Sequence, residues 1–197
     1  ARLGYDARLM VPRYAGIDLE KFTLEMEVEG LRVPTGAEGT DEQEPKELIC
    51  NVRRFVPREG NGGKRAPVHT YFLENLEYYE KRSNIYGYSD DAIRWALLCR
   101  GTLEFLKQSS WIPDVIVASD WQTGFLPNYL RTVYRDVDKF ENIATVFMIH
   151  NLYYQGVFDH RFVTEMDYDD GHSPLPSFFD HRLLKTNGMR RGIVHSD

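Results

Sequence analysis

The chain has 197 residues, with 30 acidic against 24 basic side chains, twelve Tyr and eleven Phe. Its formal charge of −6 is spread without a basic stripe that could track a phosphate backbone, so nucleic acid is excluded as an expected partner. Ordinary hydrophobic content excludes a disordered chain, and the length fits one domain or a piece of a larger protein.

No apolar run approaches the ~20 residues that a membrane-spanning helix needs, and no basic segment leads into an apolar one at the start. Cys50 and Cys99 stand far apart in apolar surroundings, which suits neither a disulfide framework nor a metal clip. A reducing, cytoplasmic setting without membrane contact is therefore expected. The chain starts at Ala1 rather than Met and ends Ile193-Val194-His195-Ser196-Asp197, which resembles the start of another strand. Both ends read as cut.

Asp6 to Val11, closed by Pro12, predicts a short buried strand. Residues 22–33 and 46–56 are two runs of β-type residues separated by the turn-rich stretch 34–45, and together they predict a hairpin. Pro57 to Arg65 is Gly-rich, and Val68 to Leu73 resumes a β pattern. Those glycines are not followed by a helix and no Gly-Lys-Ser/Thr occurs, so a solvated turn is favoured over a phosphate cradle.

Ser89 is a suitable N-cap for a helix running to about Ser109, with Asp90 and Asp91 in its first turn. Ala92, Ala96, Cys99, Leu103 and Leu106 form its apolar stripe. A strand over Val115–Ala118, a helix through Leu126, Tyr129, Leu130 and Val133, a strand over Ile143–Ile149 and helical character over Leu183–Val194 follow. This alternation predicts an α/β fold, with a Rossmann-like parallel sheet, helices on both faces and a locally antiparallel insert near residues 22–73.

Two strand ends carry polar clusters, and ligands of α/β proteins bind at the carboxyl ends of parallel strands. Asp120 and Gln122 follow the first of these strands with Trp121 between them. A carboxylate, an amide and an apolar ring suit a sugar, while Asp120 can equally cap the next helix. His150 and Asn151 follow the second strand. A neutral imidazole there can donate to or accept from a hydroxyl, or be a satisfied structural histidine. Tyr153, Tyr154, Gln155 and Gly156 continue as a loop that can stack on sugar faces or plug the core. The six His are dispersed, Asp169 and Asp170 have no partner at a metal-ligand spacing, and no Gly-x-Ser-x-Gly elbow surrounds Ser119. The acidic run at 165–170 reads as a solvated loop.

Five ordered blocks resemble the bacterial glycogen synthase and plant starch synthase family of retaining glucosyltransferases. They are GYDARLMVPRY (4–14), SNIYGYSDDAIRWALLCRG (83–101), SDWQTGFLPNYL (119–130), TVFMIHNLYYQGVF (145–158) and LLKTNGMRRGIVHSD (183–197). The resemblance implies a GT-B fold with two Rossmann-like halves facing a cleft, this chain being part of the amino-terminal half. It implies glycogen or starch biosynthesis by transfer of glucose from ADP-glucose or UDP-glucose to the non-reducing end of an α-1,4-glucan. The partners are donor and acceptor glucan, with no further cofactor. His150 is implied as the catalytic group, and Asp120, Trp121, Gln122, Asn151, Tyr154 and Gln155 as substrate contacts. Ser119 and Gln122 depart from the many members that carry His at those positions.

Family members open with a Lys-x-Gly-Gly-Leu loop after their first strand and close with a nucleotide-binding half, and neither is present within residues 1–197. The chain is thus expected to be a partial amino-terminal domain, inactive alone, with apolar faces left open by the lost strand. It would belong in the cytoplasm, or in a plastid if from a plant. A related GT-B enzyme of other specificity and a non-catalytic glucan-binding module are the alternatives.

Overall fold

The computed structural model describes residues 3–35, 47–57, 68–88, 90–159 and 185–197. Strands β1 (Arg8–Pro12), β2 (Thr23–Pro34), β3 (Glu47–Val56) and β4 (His69–Glu74) form one sheet in the order β1-β4-β3-β2. β1 and β4 are parallel, with Arg8 opposite His69 and Pro12 opposite Leu73, while β4-β3 and β3-β2 are antiparallel. The expected hairpin is β2-β3, and its alternation is visible in Leu31, Val33, Cys50 and Val52, all buried on one face. A bulge between Val28 and Leu31 is accommodated by Gly30 at φ +69°, whose N–H donates to Asn51 Oδ1 at 2.9 Å. Of the Gly-rich loop after β3, residues 58–65 lie outside the described residues, as do the acidic run at 165–170 and Ser89.

Helix α1 (Asp91–Gln108) lies against this sheet. Asp90 takes the cap position expected for Ser89 but makes no side-chain cap bond. Asp91 instead accepts from the Gly87 N–H at 2.6 Å and pairs with Arg94 at 2.6 Å. The predicted stripe is buried, but so are Trp95, Leu97, Leu98, Phe105, Arg94 and Arg100, so α1 is enclosed on nearly every side. Gly101 lets the helix approach β4 closely, since a Cβ there would meet Leu73 Cδ2 at 2.7 Å.

β5 (Val115–Ser119) and β6 (Ala144–Met148) form a separate parallel pair, in register from Val115–Ala144 to Ser119–Met148. The expected α/β fold with parallel pairing is present: among the described residues, parallel pairing occurs in β1-β4 and β5-β6, which are not bonded to each other. Among the described residues, one face of β5-β6 is covered and the other is open. Ala118 and Thr145 turn into the core, whereas Val115, Val117, Val146 and Met148 on the opposite face are each 42–53% exposed.

The single helix expected through Val133 is two short ones, α2 (Asp120–Thr123) and α3 (Phe125–Arg131), and Val133 falls in the turn after them. The break is at Gly124, where a Cβ would lie 1.9 Å from the Gly188 carbonyl oxygen. Another backbone crosses there. That backbone opens α4 (Gly188–His195), which follows β8 (Lys185–Asn187); β8 pairs antiparallel with β7 (Val157–Asp159). The helical character expected over 183–194 is thus corrected to a strand followed by a helix, because Asn187 Oδ1 caps the helix by accepting from the Arg190 N–H at 2.8 Å. Residues 183–184 are outside the described set. Ile193 and Val194 belong to α4, so a strand does not begin there.

Candidate functional site

Both polar clusters lie where β5 and β6 end side by side. The last paired residues are Ser119 and Met148, after which β5 turns into α2 and β6 runs on into an irregular loop. Asp120 makes that turn at φ +58°, the single non-glycine residue with positive φ among those described. Asp tolerates the left-handed region better than most residues, yet the conformation costs about 1–2 kcal/mol. The offsetting contacts are two hydrogen bonds to its carboxylate: the backbone N–H groups of His150 and Asn151 donate to Oδ1 at 2.7 and 3.2 Å. Bonds to a charged acceptor contribute about 1.5–3 kcal/mol each, enough to hold the strained turn. Asp120 does not cap α2, whose start carries no side-chain cap bond.

Trp121 differs from the expected sugar-facing ring. It is 7% exposed and meets Trp95 edge to face at 6.2 Å and 90°. Gly156, at φ +62°, lies flat on its indole, and a Cβ there would come within 2.2 Å of Trp121 Cε3. The ring is therefore a core wedge under the loop. Gln122 is half-buried on α2, and its backbone carbonyl accepts the Cys99 thiol at 3.6 Å.

The loop itself is exposed from His150 to Gln155. Asn151 Oδ1 accepts from the Tyr153 N–H at 2.8 Å, a local turn that fixes the backbone. Tyr153 and Tyr154 are 88% and 63% exposed, with rings 5.5 Å apart at 73°. The Gln155 side chain serves as a staple: its Nε2 donates to Leu152 O at 3.3 Å and its Oε1 accepts from Asn187 Nδ2 at 3.2 Å. At the far end, Gly156 O and Gln155 O accept from the N–H groups of Gly188 and Met189 at 2.9 and 3.1 Å. The first amides of α4 are thereby used by the loop, leaving no open anion cradle at that helix start.

Sequence reasoning did not single out Asn187, Asp197 or Arg131. Asn187-Gly188 was legible as a cap signal, but Asp197 was not. Asp197 Oδ2 accepts from the Thr145 N–H at 2.7 Å and from Arg131 at 2.5 Å, tying the end of α4 to β6 and α3. Hydrogen bonds from Thr145, with Arg131 beside it, hold the Asp197 carboxyl below the usual carboxylate range. Among the described residues no group of three or more His, Cys, Asp or Glu side chains could hold a metal ion, and no helix is long and apolar enough to cross a membrane.

An exposed His and Asn, aromatic side chains and a stapled loop at the carboxyl edge of parallel strands suit recognition of a polyhydroxylated ligand. The glycogen synthase of Geobacillus thermodenitrificans is 37% identical over 170 residues, covering 86% of this chain and 32% of that protein. The glycogen synthase of Exiguobacterium sibiricum is 33% identical over 201 residues, covering 100% and 38%. The catalytic domain of starch synthase IV from Arabidopsis thaliana, solved bound to ADP and acarbose, superposes with a TM-score of 0.73 at 20% identity, over 99% of this chain and 37% of that one. The chain thus spans about a third of the length of these relatives. The family model for the starch synthase catalytic domain matches residues 1–197 from end to end, and this chain belongs to that family.

Proposed function

We propose that this chain forms one wall of the active site of a retaining glucosyltransferase of glycogen or starch biosynthesis. Glucose moves from a nucleotide-glucose donor, ADP-glucose or UDP-glucose, to the non-reducing end of an α-1,4-glucan. The observation that carries the reading is the exposed His150-Asn151 pair at the joint end of β5 and β6, in a member of the starch synthase family.

In this reading His150 donates a hydrogen bond to, or accepts one from, a hydroxyl of the transferred glucose, and Asn151 adds amide contacts. Tyr154, with Tyr153 beside it, lies against the glucan, and Gln122 borders the same edge. Residues 119–124 and 149–157 contain no Lys or Arg. A departing nucleoside diphosphate needs cationic stabilisation, so that part of the chemistry is assigned to regions of the polypeptide outside these two segments. Because the chain spans about a third of its relatives' length, the domain is read as one part of a larger catalytic unit that does not turn over as 197 residues alone. No cofactor beyond the nucleotide-sugar co-substrate enters this scheme. The setting is cytoplasmic, or plastidic in a plant.

The test is to assay the full-length polypeptide carrying this segment with ADP-glucose and UDP-glucose in the presence of maltooligosaccharides. Elongation by glucose units in α-1,4 linkage supports the proposal. Binding of maltooligosaccharide without transfer from either donor would replace it with a glucan-binding role, and absence of both would remove the site.

A further inference from the structure

We propose that Asp120 is a positioning residue: its carboxylate extends the β5-β6 ladder by one step and thereby aims the His150 side chain. This rests on the reading above that His150 faces the reacting sugar. Regular pairing stops at Ser119–Met148, where β5 leaves the sheet for α2 and can offer β6 no further carbonyl. Past Ile149, the amides of His150 and Asn151 both converge on Asp120 Oδ1, at 2.7 and 3.2 Å. A side-chain oxygen thus stands where a strand carbonyl would have been.

The reach required for this explains the backbone. With φ at +58°, the side chain of Asp120 can turn back towards β6 while the main chain departs into the helix. The other end of the same loop is pinned independently, by Gly188 and Met189 amides on the Gly156 and Gln155 carbonyls. Residues 150–156 are therefore held at both ends, with the exposed imidazole directly after the Asp120 latch. Loss of the latch frees the end that carries His150 and leaves the Gly156 end in place. The carboxylate acts through the backbone, so what it must supply is an acceptor oxygen at that point, not a negative charge on the sugar.

Asn and Gly separate these roles. Asn tolerates the left-handed conformation and keeps an acceptor oxygen, whereas Gly relaxes the backbone and removes the acceptor. In the full-length polypeptide, we expect D120G to fold and to exchange the amide hydrogens of residues 150 and 151 about tenfold faster or more. Its kcat should fall by about tenfold or more with a smaller change in KM, because the reacting geometry is lost more than the binding surface. D120N should keep the amides protected and recover most of the kcat that D120G loses. Unchanged exchange in D120G would overturn the latch. So would a D120N variant with protected amides that loses as much kcat as D120G, since Asp120 would then act on substrate through its charge. Exchange is measured without substrate, so it decides the latch even if the transferase reading fails.

Discussion

Replacing Gly156 with Ala places a methyl group where the structure has no room. The residue sits at φ +62°, so any L side chain there carries about 1–2 kcal/mol of backbone strain. The new Cβ would also lie 2.2, 2.6 and 3.0 Å from Cε3, Cδ2 and Cζ3 of Trp121. That indole is 7% exposed and backed by Trp95, so it cannot swing away; relieving such an overlap costs about 1–3 kcal/mol. Together these give a destabilisation of about 2–5 kcal/mol, or a fall in Tm of roughly 7–14 °C for a mid-range loss of about 3.5 kcal/mol in a domain of this size. Gly30 is the control, because it has a similar φ of +69° but nothing within 4 Å of its Cβ position, so G30A should show the strain alone. Thermal and urea unfolding of both variants against the parent protein measure the difference. If G156A is no less stable than G30A, the close contact between loop and indole is not what holds the loop, and the reasoning fails.

His150→Ala should lower glucosyl transfer by about 10²-fold or more in the full-length enzyme through lost polar stabilisation, and an unchanged rate would remove His150 from the site. Asp91→Ala leaves the fully buried Arg94 without its carboxylate and should cost about 3–5 kcal/mol in urea unfolding, whereas Asp91→Ala with Arg94→Met should recover most of it. Burial pushes the Cys50 thiol from 9.0 up to about 11, and Cys99 is raised further. Between those values the unfolded chain has released a proton that the folded one retains, so stability should fall as pH rises above 9, by up to roughly 3 kcal/mol from Cys50 alone. A urea midpoint that is flat from pH 8 to 10.5, or a slope unaltered by Cys50→Ala, would contradict this.

Much of the architecture was readable because short-range periodicity controls it. Runs of β-type residues at 22–33 and 46–56 with a turn-rich stretch between them marked the hairpin, the stripe from Ala92 to Leu106 marked α1, and two apolar runs ending in polar residues marked β5 and β6. Turn chemistry at Asn187-Gly188 was present in the sequence too, but the longer helical pattern around it obscured the start of α4. The order of the blocks was sufficient to indicate the family.

Strand ends, and the residue types that gather at them, are legible in the chain: Asp120, Gln122, His150 and Asn151 follow directly from two apolar runs. The long-range contacts at this edge come from the tertiary structure. Asp120 reaches amides thirty and thirty-one residues away, Trp121 turns inward beneath Gly156, and Gln155 is committed to Asn187. Gly124 leaves room for the Gly188 carbonyl at the start of α4, which no pattern within residues 119–133 reveals. The physical reason is common to all four. Strand and helix periods depend on neighbours within a few residues, whereas these contacts depend on how close two distant backbones come, and that distance is set by pairing register and by glycines at the crossings.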